Sequence, residues 1–323
     1  MRSVSATEAV LSGLTFMIGR LIFIFALVLV PAAASAQALD NIQALRERSL
    51  ELVNQERSAQ GLSRLELEDD LNEAALAHAE DMLERDYFAH TSPDGATVLD
   101  RYLDAGGDQG RVVRENLSRC NGCLSKPDIK SVEQLHEGWM NSPGHRANIL
   151  AEGLTNFGFA VVHDSDGNRY GVQTFAGSGV PRGKLTDGSV ETIGPQEQTR
   201  LAAEFINDLR SGSKAATADQ RLRQHVESKL PSGNLADDSL SKMKLLDDLP
   251  ADFPWLSYQV LSGQCGGCGK EPTNSDVKFF LERWSEGGRT RAILTDTSLT
   301  SVGFVVVADG QGRKLSVLLL AGE

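Results

Sequence analysis

The chain has 323 residues, of which 41% are hydrophobic and 24% charged, and its formal net charge at pH 7 is -12. This acidic balance argues against a nucleic-acid or anionic-membrane partner, because both require a basic surface that no segment supplies. The length is sufficient for two domains of ordinary size, each with its own core.

The first 36 residues have the pattern of an export signal. Arg20 precedes an apolar run, and Ala34-Ser35-Ala36 fits a cleavage site before Gln37. The run is shorter than the roughly 20 residues that span a bilayer, so a retained anchor is the less favoured alternative. We expect a secreted or periplasmic protein with no stable membrane anchor after cleavage.

Two amphipathic helices are predicted at the start of the mature chain. Ile42, Leu45 and Val53 share one helical face, and Leu71 and Met82 belong to a second helix. His78 lies on the apolar face of that second helix. We therefore expect a core histidine whose ring nitrogen is hydrogen-bonded.

Two further histidines are predicted to lie on bends. Phe88-Ala-His90 runs into a Ser-Pro-Asp-Gly turn, which places His90 at a loop mouth. A helix ending near Trp139 cannot continue through Pro143-Gly144, so His145 should be presented where that helix ends. Between these loops lies Glu115, just before the first cysteine pair.

The next segment is rich in β-branched and aromatic residues. Residues 157–163 and 169–175 are joined by Asp-Ser-Asp-Gly-Asn, which is typical of a hairpin with a five-residue loop. Helices therefore come early and strands late, which indicates an α+β fold rather than alternating βαβ units.

The block from Leu117 to Gly177 has a weaker second copy from Leu261 to Gly322. Cys123 precedes Trp139 by sixteen residues, and Cys268 precedes Trp284 by the same number. Such self-similarity indicates an internal duplication. A stretch rich in Gly, Pro and Ser after Gly177 is predicted to link the copies, with the boundary near residue 190.

The second copy serves as an internal control for function. No histidine follows His225, and the alignment places Arg289 opposite His145 and Gln259 opposite Glu115. Residues required by the fold should recur, whereas site residues are free to occur once. His90, Glu115 and His145 occur once and are our site candidates.

Two other histidines, His136 and His163, also occur once. Neither belongs to a motif, so we expect both on the surface.

The four cysteines form two Cys-x-x-Cys pairs behind the export signal. We favour a local disulfide between Cys120 and Cys123 and another between Cys265 and Cys268. A four-cysteine zinc site remains an alternative, although its pairs usually lie only about 15 to 20 residues apart. Redox cycling of the pairs is a further alternative.

Four motifs of the first copy occur in a specific order: Phe-x-His-x-Ser-Pro, Glu-Asn, Trp-x-x-Ser-x-Gly-His and a closing Gly-Phe hairpin. In this order they resemble the CAP superfamily, which includes cysteine-rich secretory proteins, insect venom antigen five, plant pathogenesis-related proteins of the first group and bacterial SCP-like proteins. The resemblance covers roughly Leu45 to Gly177.

The resemblance implies an α-β-α sandwich with a cleft lined by two histidines and two acidic residues, which bind a divalent metal in some members. Carried onto this sequence, the histidines are His90 and His145, and the first acid is Glu115. The position of the second acid is Ser142, which departs from the family pattern. Glu137 is not its substitute, because Glu282 recurs in the copy that lacks a site.

The predicted organisation is therefore a signal peptide over residues 1–36, a CAP domain over 40–178, a linker over 179–196 and a degenerate CAP-like domain over 197–323. We expect a binding module whose cleft of His90, Glu115, Ser142 and His145 takes a small ligand, lipid or peptide. The resemblance implies that His90 and His145 are the ligands of a divalent metal, and we expect zinc or another divalent ion. The alternative is a metal-dependent hydrolase with Glu115 as a third ligand or catalytic base.

Overall fold

A computed structural model describes residues 41–183, 189–212, 214–231, 233, 235 and 243–323. The predicted signal peptide, residues 1–36, and part of the predicted linker lie outside the described residues. The elements of the first copy are α1 (Ile42–Ala59), β1 (Glu66–Leu67), α2 (Asp69–Glu84), α3 (Val98–Asp104), β2 (Val112–Cys120), α4 (Ile129–Met140), α5 (Pro143–Ile149), β3 (Asn156–His163) and β4 (Arg169–Gly177). Those of the second copy are α6 (Pro195–Arg210), β5 (Thr217–Ala218), α7 (Gln220–Lys229), β6 (Ser257–Cys265), α8 (Asn274–Glu286), α9 (Gly288–Thr295), β7 (Ser301–Ala308) and β8 (Lys314–Gly322).

Each copy contains a four-stranded sheet with the same strand order. The first sheet runs β1-β3-β4-β2 and the second β5-β7-β8-β6. In both sheets the short first strand is parallel to its neighbour and the other pairings are antiparallel. The predicted α+β fold and internal duplication are therefore confirmed.

Strand alternation explains why each sheet is covered by helices on both faces. Successive side chains of a strand point to opposite faces. In β3, Phe157, Phe159 and Val161 pack against α1, α4 and α5, whereas Ala160 and Val162 pack against α2. The result is the expected α-β-α sandwich, with one apolar core on each side of the sheet.

One asparagine on the first helix of each copy makes the same contacts with the backbone. The Asn54 amide exchanges two hydrogen bonds with the backbone of Leu65, at 2.9 and 2.7 Å. Asn207 does the same with Ala216, at 2.9 and 2.7 Å. These repeated contacts tie the first helix to the loop before the first strand.

A buried arginine one turn later is also duplicated. Arg57 donates to the carbonyl oxygens of Ile149 and Ala151, each at 2.8 Å. Arg210 donates to those of Leu294 and Asp296, at 2.9 and 2.7 Å. These bonds satisfy carbonyl groups at the C-terminal ends of α5 and α9, which lack partners within the helix. Ile149 therefore corresponds to Leu294.

The strand register corrects the equivalence that the sequence suggests for Glu115. Cys120 pairs with Arg169, and Cys265 pairs with Lys314. Glu115 lies five residues before its cysteine, and the residue five before Cys265 is Val260. The counterpart of Glu115 is therefore Val260, and the predicted counterpart, Gln259, is wrong by one residue.

The equivalence for His145 changes in the same way. Helix α5 follows its N-cap Ser142, and α9 follows its N-cap Gly287. The third residue of α5 is His145 and that of α9 is Thr290, so Arg289 is also one residue out. The residue numbers of α5 and α9 differ by the same amount as those of the strand residues Cys120 and Cys265. The two copies therefore align over this region without a gap.

The prediction of a structural role for His78 is confirmed. Its side chain is fully buried, and Nε2 lies 3.0 Å from the carbonyl oxygen of Ala89. His225 on α7 makes the same kind of bond to Leu245, at 2.8 Å. In both copies a histidine on this helix therefore holds a loop to the core.

The prediction that His136 and His163 lie on the surface is wrong. Their exposed fractions are 6% and 8%. His136 faces Glu56 across the seam between α1 and α4, with 4.0 Å between Nε2 and a carboxylate oxygen. His163 is the last residue of β3, where the pleat turns its side chain inward.

The two copies are in direct contact through backbone hydrogen bonds. The N–H of Gly267 donates to Gly110 at 2.9 Å, and the N–H of Gly269 donates to Ser178 at 2.9 Å. Gly179 has no room for a side chain at this contact, because a Cβ there would lie 2.1 Å from the carbonyl oxygen of Gly267. The described part of the predicted linker continues along the second copy, where Ile193 donates to Pro272 at 3.2 Å.

Substituting one glycine at this contact tests whether the copies are packed together in solution. Gly179→Ala and Gly212→Ala both place a side chain at positive φ, at +71° and +85°, but only the first meets the other copy. Both should lose about 1–2 kcal/mol from the backbone conformation. Gly179→Ala should lose a further amount of about 1–3 kcal/mol because of overpacking.

Thermal and denaturant unfolding of the two variants measure the difference. Equal destabilisation by both substitutions would contradict the packed arrangement.

Candidate functional site

The centre of the candidate site is Glu115, whose side chain projects from the middle of β2. The residue is only 4% exposed. One carboxylate oxygen accepts from Nδ1 of His90 at 2.8 Å, and the other accepts from the Arg101 guanidinium at 2.9 Å. The sequence motifs predicted that His90 and Glu115 belong together, and the structure places them in contact.

Arg101 on α3 is a site residue that the sequence did not reveal. Besides its ion pair with Glu115, its guanidinium donates to the carbonyl oxygens of His90 and Ala96, each at 3.0 Å. It therefore holds both ends of the loop that carries His90. It lies outside the recurring motifs, so only its contacts reveal the role.

His90 is oriented by the buried carboxylate but remains open to solvent. Its side chain is 61% exposed. Because Nδ1 donates to Glu115, Nε2 is the nitrogen left for a ligand, and it makes no hydrogen bond to any residue that the structure describes. The bond to the Glu115 carboxylate raises the pKa of His90, since it favours the charged ring.

His145 is placed beside this pair by a network of amides. Asn116, the neighbour of Glu115 on β2, donates to the carbonyl oxygen of His145 at 3.1 Å. Asn148 on α5 donates to the Glu115 carbonyl at 3.0 Å and to the Asn116 side chain at 2.9 Å. Gln173 on β4 completes the network with an oxygen 3.1 Å from the Asn116 amide.

The electrostatic environment of His145 also reflects its position near His90. Burial lowers the pKa of His145, and the charge of His90 lowers it further. His145 is therefore neutral near pH 7, which is the form that binds a metal or accepts a proton.

In the second copy, the corresponding positions are apolar. Val260 replaces Glu115, and Leu261 and Leu318 form a cross-strand pair where the first copy has Asn116 and Gln173. Leu318 is fully buried in the core of that copy. The polar network is thus confined to the copy that carries the histidines.

A groove of ≈ 360 Å³ adjoins His145 on the side of α4. Its lining includes Ser142 and His145, the Cys120 and Cys123 pair and Arg169. Of the predicted cleft residues, Ser142 and His145 therefore line the groove, whereas His90 and Glu115 form the polar cluster beside it. Both predicted cysteine pairs lie at disulfide distance, with Cα–Cα separations of 6.0 and 6.2 Å.

The donor groups limit which metal site can form. Within the described part of the chain, no three side chains of the His, Cys, Asp or Glu types come together as a metal-binding group. His90 and His145 offer two imidazole nitrogens, while both oxygens of Glu115 are already bonded to protein groups. Also among the described residues, no helix has the length and apolar character needed to cross a bilayer.

Known protein sequences are similar to part of this chain. The model of the cysteine-rich secretory protein (CAP) family matches residues 50–175. The uncharacterized protein YkwD of Bacillus subtilis is 31% identical over 128 residues, which are 40% of this chain and 46% of that protein. The membrane protein YlbC of the same organism is 33% identical over 132 residues, which are 41% of this chain and 36% of that protein. The chain thus spans less than half the length of either relative.

Two solved structures are similar to parts of the chain. An extracellular protein with an SCP domain from Bacillus anthracis is 29% identical, with 41% of this chain and 40% of that chain covered and a TM-score of 0.34. Na-ASP-1 is 12% identical, with 90% and 92% covered and a TM-score of 0.36. The family model spans the segment that carries His90, Glu115 and His145, so residues 50–175 contain a CAP domain.

Proposed function

We propose that this chain is an exported binding module whose first copy holds a divalent metal ion between His90 and His145 and takes a small ligand in the adjoining groove. The observation that carries the proposal is the 2.8 Å bond from Nδ1 of His90 to Glu115. Metal-binding histidines commonly donate their second ring nitrogen to a carboxylate, which fixes the ring and leaves the other nitrogen for the metal.

In this arrangement Glu115 orients His90 from the second coordination layer. His145 supplies the other nitrogen from the first turn of α5, where the Asn116 and Asn148 amides hold it next to β2. Water or a ligand would complete the coordination of the ion. Zinc suits an imidazole pair, as do several other divalent transition metals.

Binding fits these groups better than hydrolysis does. Catalytic zinc usually has three protein ligands and an open water position. In the hydrolase alternative Glu115 would be the third ligand or the base, but its two oxygens are held by His90 and Arg101. A base must be free to accept a proton from the attacking water, and this carboxylate is instead compensated by a buried guanidinium.

Export is part of the proposal. Residues 1–36 have the pattern of a signal peptide, and the paired cysteines favour an oxidising compartment. One similar structure comes from a protein described as extracellular. We accordingly place the mature protein outside the cytoplasm, in the periplasm or the medium.

The first test is zinc titration of His90→Ala and His145→Ala. Each should abolish stoichiometric zinc binding while largely preserving the fold, because both side chains lie at an open site. The matched control is His225→Ala, which removes a structural histidine from the copy without a site. It should cost about 1–3 kcal/mol of stability through the lost core hydrogen bond, yet leave zinc binding unchanged.

Calorimetry with zinc and thermal unfolding of the three variants give both quantities. Zinc affinity in His145→Ala equal to that of the parent would refute the metal site.

The pH dependence of zinc binding provides a second prediction. Only neutral imidazole binds the metal, so protons compete with zinc. Since Glu115 raises the pKa of His90 above its usual value of about 6.5, zinc affinity should begin to fall at a pH above that value as the solution is acidified. Zinc titrations over a pH series measure the onset, and a loss confined to lower pH would contradict the role assigned to Glu115.

Replacing the carboxylate itself gives a third prediction. In Glu115→Gln the pKa of His90 should fall toward its ordinary value, because the amide cannot stabilise the charged ring. The fold should lose about 3–5 kcal/mol, since Arg101 is left as an uncompensated buried cation. Glu137→Gln, at an exposed position on α4, should change neither quantity.

Titration of the histidine ring protons by NMR, together with denaturant unfolding, checks both effects. An unchanged His90 pKa in Glu115→Gln would show that the two side chains are not bonded in solution.

A further inference from the structure

A buried cation in the groove has no anionic partner among the residues that the structure describes. Arg169, the first residue of β4, is only 6% exposed. One of its terminal nitrogens donates to the Ser125 carbonyl and lies 3.3 Å from the Ser125 hydroxyl, both of which are neutral acceptors. Its Nε has no hydrogen-bond partner among the described residues, and none of their carboxylates lies within 4.0 Å of the guanidinium.

The second copy shows how the same position is neutralised by the protein. Lys314 is the counterpart of Arg169, because each pairs with the first cysteine of its copy. Its ammonium lies 2.6 Å from the carboxylate of Asp276, and both side chains are fully buried. Here a buried positive charge has its anion.

The first copy has a serine where this anion would be. Asp276 is the third residue of α8, with Thr273 as N-cap, and Ser131 is the third residue of α4, with Asp128 as N-cap. In the first copy the carboxylate is instead that of the N-cap residue, Asp128. Asp128 accepts hydrogen bonds from the backbone N–H of Ser131 at 2.8 Å and from its hydroxyl at 2.7 Å. From that exposed position Asp128 acts on Arg169 only at longer range.

An unpaired buried charge is costly, so a groove that contains one favours an anion. A carboxylate can accept two parallel hydrogen bonds from a guanidinium. The remaining lining includes the apolar side chains of Leu117, Leu135 and Trp139. The volume of ≈ 360 Å³ is at the lower end of the range of roughly 300–1,000 Å³ that is typical of small-molecule sites.

We propose that this groove binds a small carboxylate with an apolar body, whose carboxylate pairs with Arg169 in place of the carboxylate that Asp276 supplies in the second copy. The apolar body lies against Leu135 and Trp139, toward Ser142 and His145. This inference rests on the proposed use of the groove as a ligand site, but it does not require the metal.

The test uses octanoate as the probe and the indole N–H signals of the tryptophans as the reporters. In a zinc-free NMR titration of the mature protein, octanoate should shift the Trp139 signal, whereas Trp284 in the second copy serves as the internal control. Octanol and octylamine have the same apolar chain without the carboxylate. We expect each to bind at least about tenfold more weakly, as is usual when charge-assisted hydrogen bonds are lost.

Two substitutions remove the pairing in opposite ways. Arg169→Met deletes the cation and should weaken octanoate binding at least about tenfold. Ser131→Asp supplies an internal carboxylate at the position of Asp276, so it should also weaken binding while maintaining or raising the melting temperature. Ser58→Asp adds the same charge at an exposed position on α1 and should leave binding unchanged.

The outcomes separate this inference from the metal site. His90→Ala, which changes a metal ligand outside the groove lining, should lose zinc but retain octanoate, and Arg169→Met should retain zinc. Octanoate binding that survives both Arg169→Met and Ser131→Asp would overturn the inference, as would binding that appears only with zinc present. Equal binding of octanoate and octanol would show an apolar groove without carboxylate recognition and would also overturn it.

Discussion

The buried carboxylate of Glu115 is the constraint on which the candidate site depends. A carboxylate in the protein interior requires compensating charge and hydrogen bonds, and Arg101 and His90 provide them. Because Arg101 also binds the carbonyl oxygens of His90 and Ala96, the same contact that neutralises the carboxylate determines the course of the loop. The orientation of His90 is therefore a consequence of charge compensation inside the sheet.

The second copy shows that the sandwich does not require this polar centre. It has the same strand order and the same structural contacts of Asn207 and Arg210, but an apolar Val260 and Leu318 in place of the polar network. Replacing buried polar partners by apolar side chains of similar size is often neutral or stabilising. The first copy thus retains groups that its fold could do without, which is the expected relation between stability and a functional site.

Periodicity and the comparison of the two copies predicted much of the fold and part of the site. Strand alternation and single occurrence identified the hairpin, His90, Glu115 and His145, because these are local properties of the sequence. Arg101 and the burial of His136 were not predictable, since their partners come from other elements of the fold. The one-residue errors in the alignment arose because scattered identities were matched, whereas strand register and helix starts determine the true equivalences.

Two buried charges of the first copy differ in how the protein neutralises them. Glu115 has a cation and a histidine as partners and is therefore complete without a ligand. In the described part of the chain, Arg169 has only neutral hydrogen-bond acceptors, although the protein can place a carboxylate at this site, as Asp276 beside Lys314 demonstrates. A compensated charge positions its neighbours, while an uncompensated charge favours whatever anion can enter. On this physical basis we propose that Glu115 orients His90 as part of the scaffold, and that Arg169 is the group that meets the ligand.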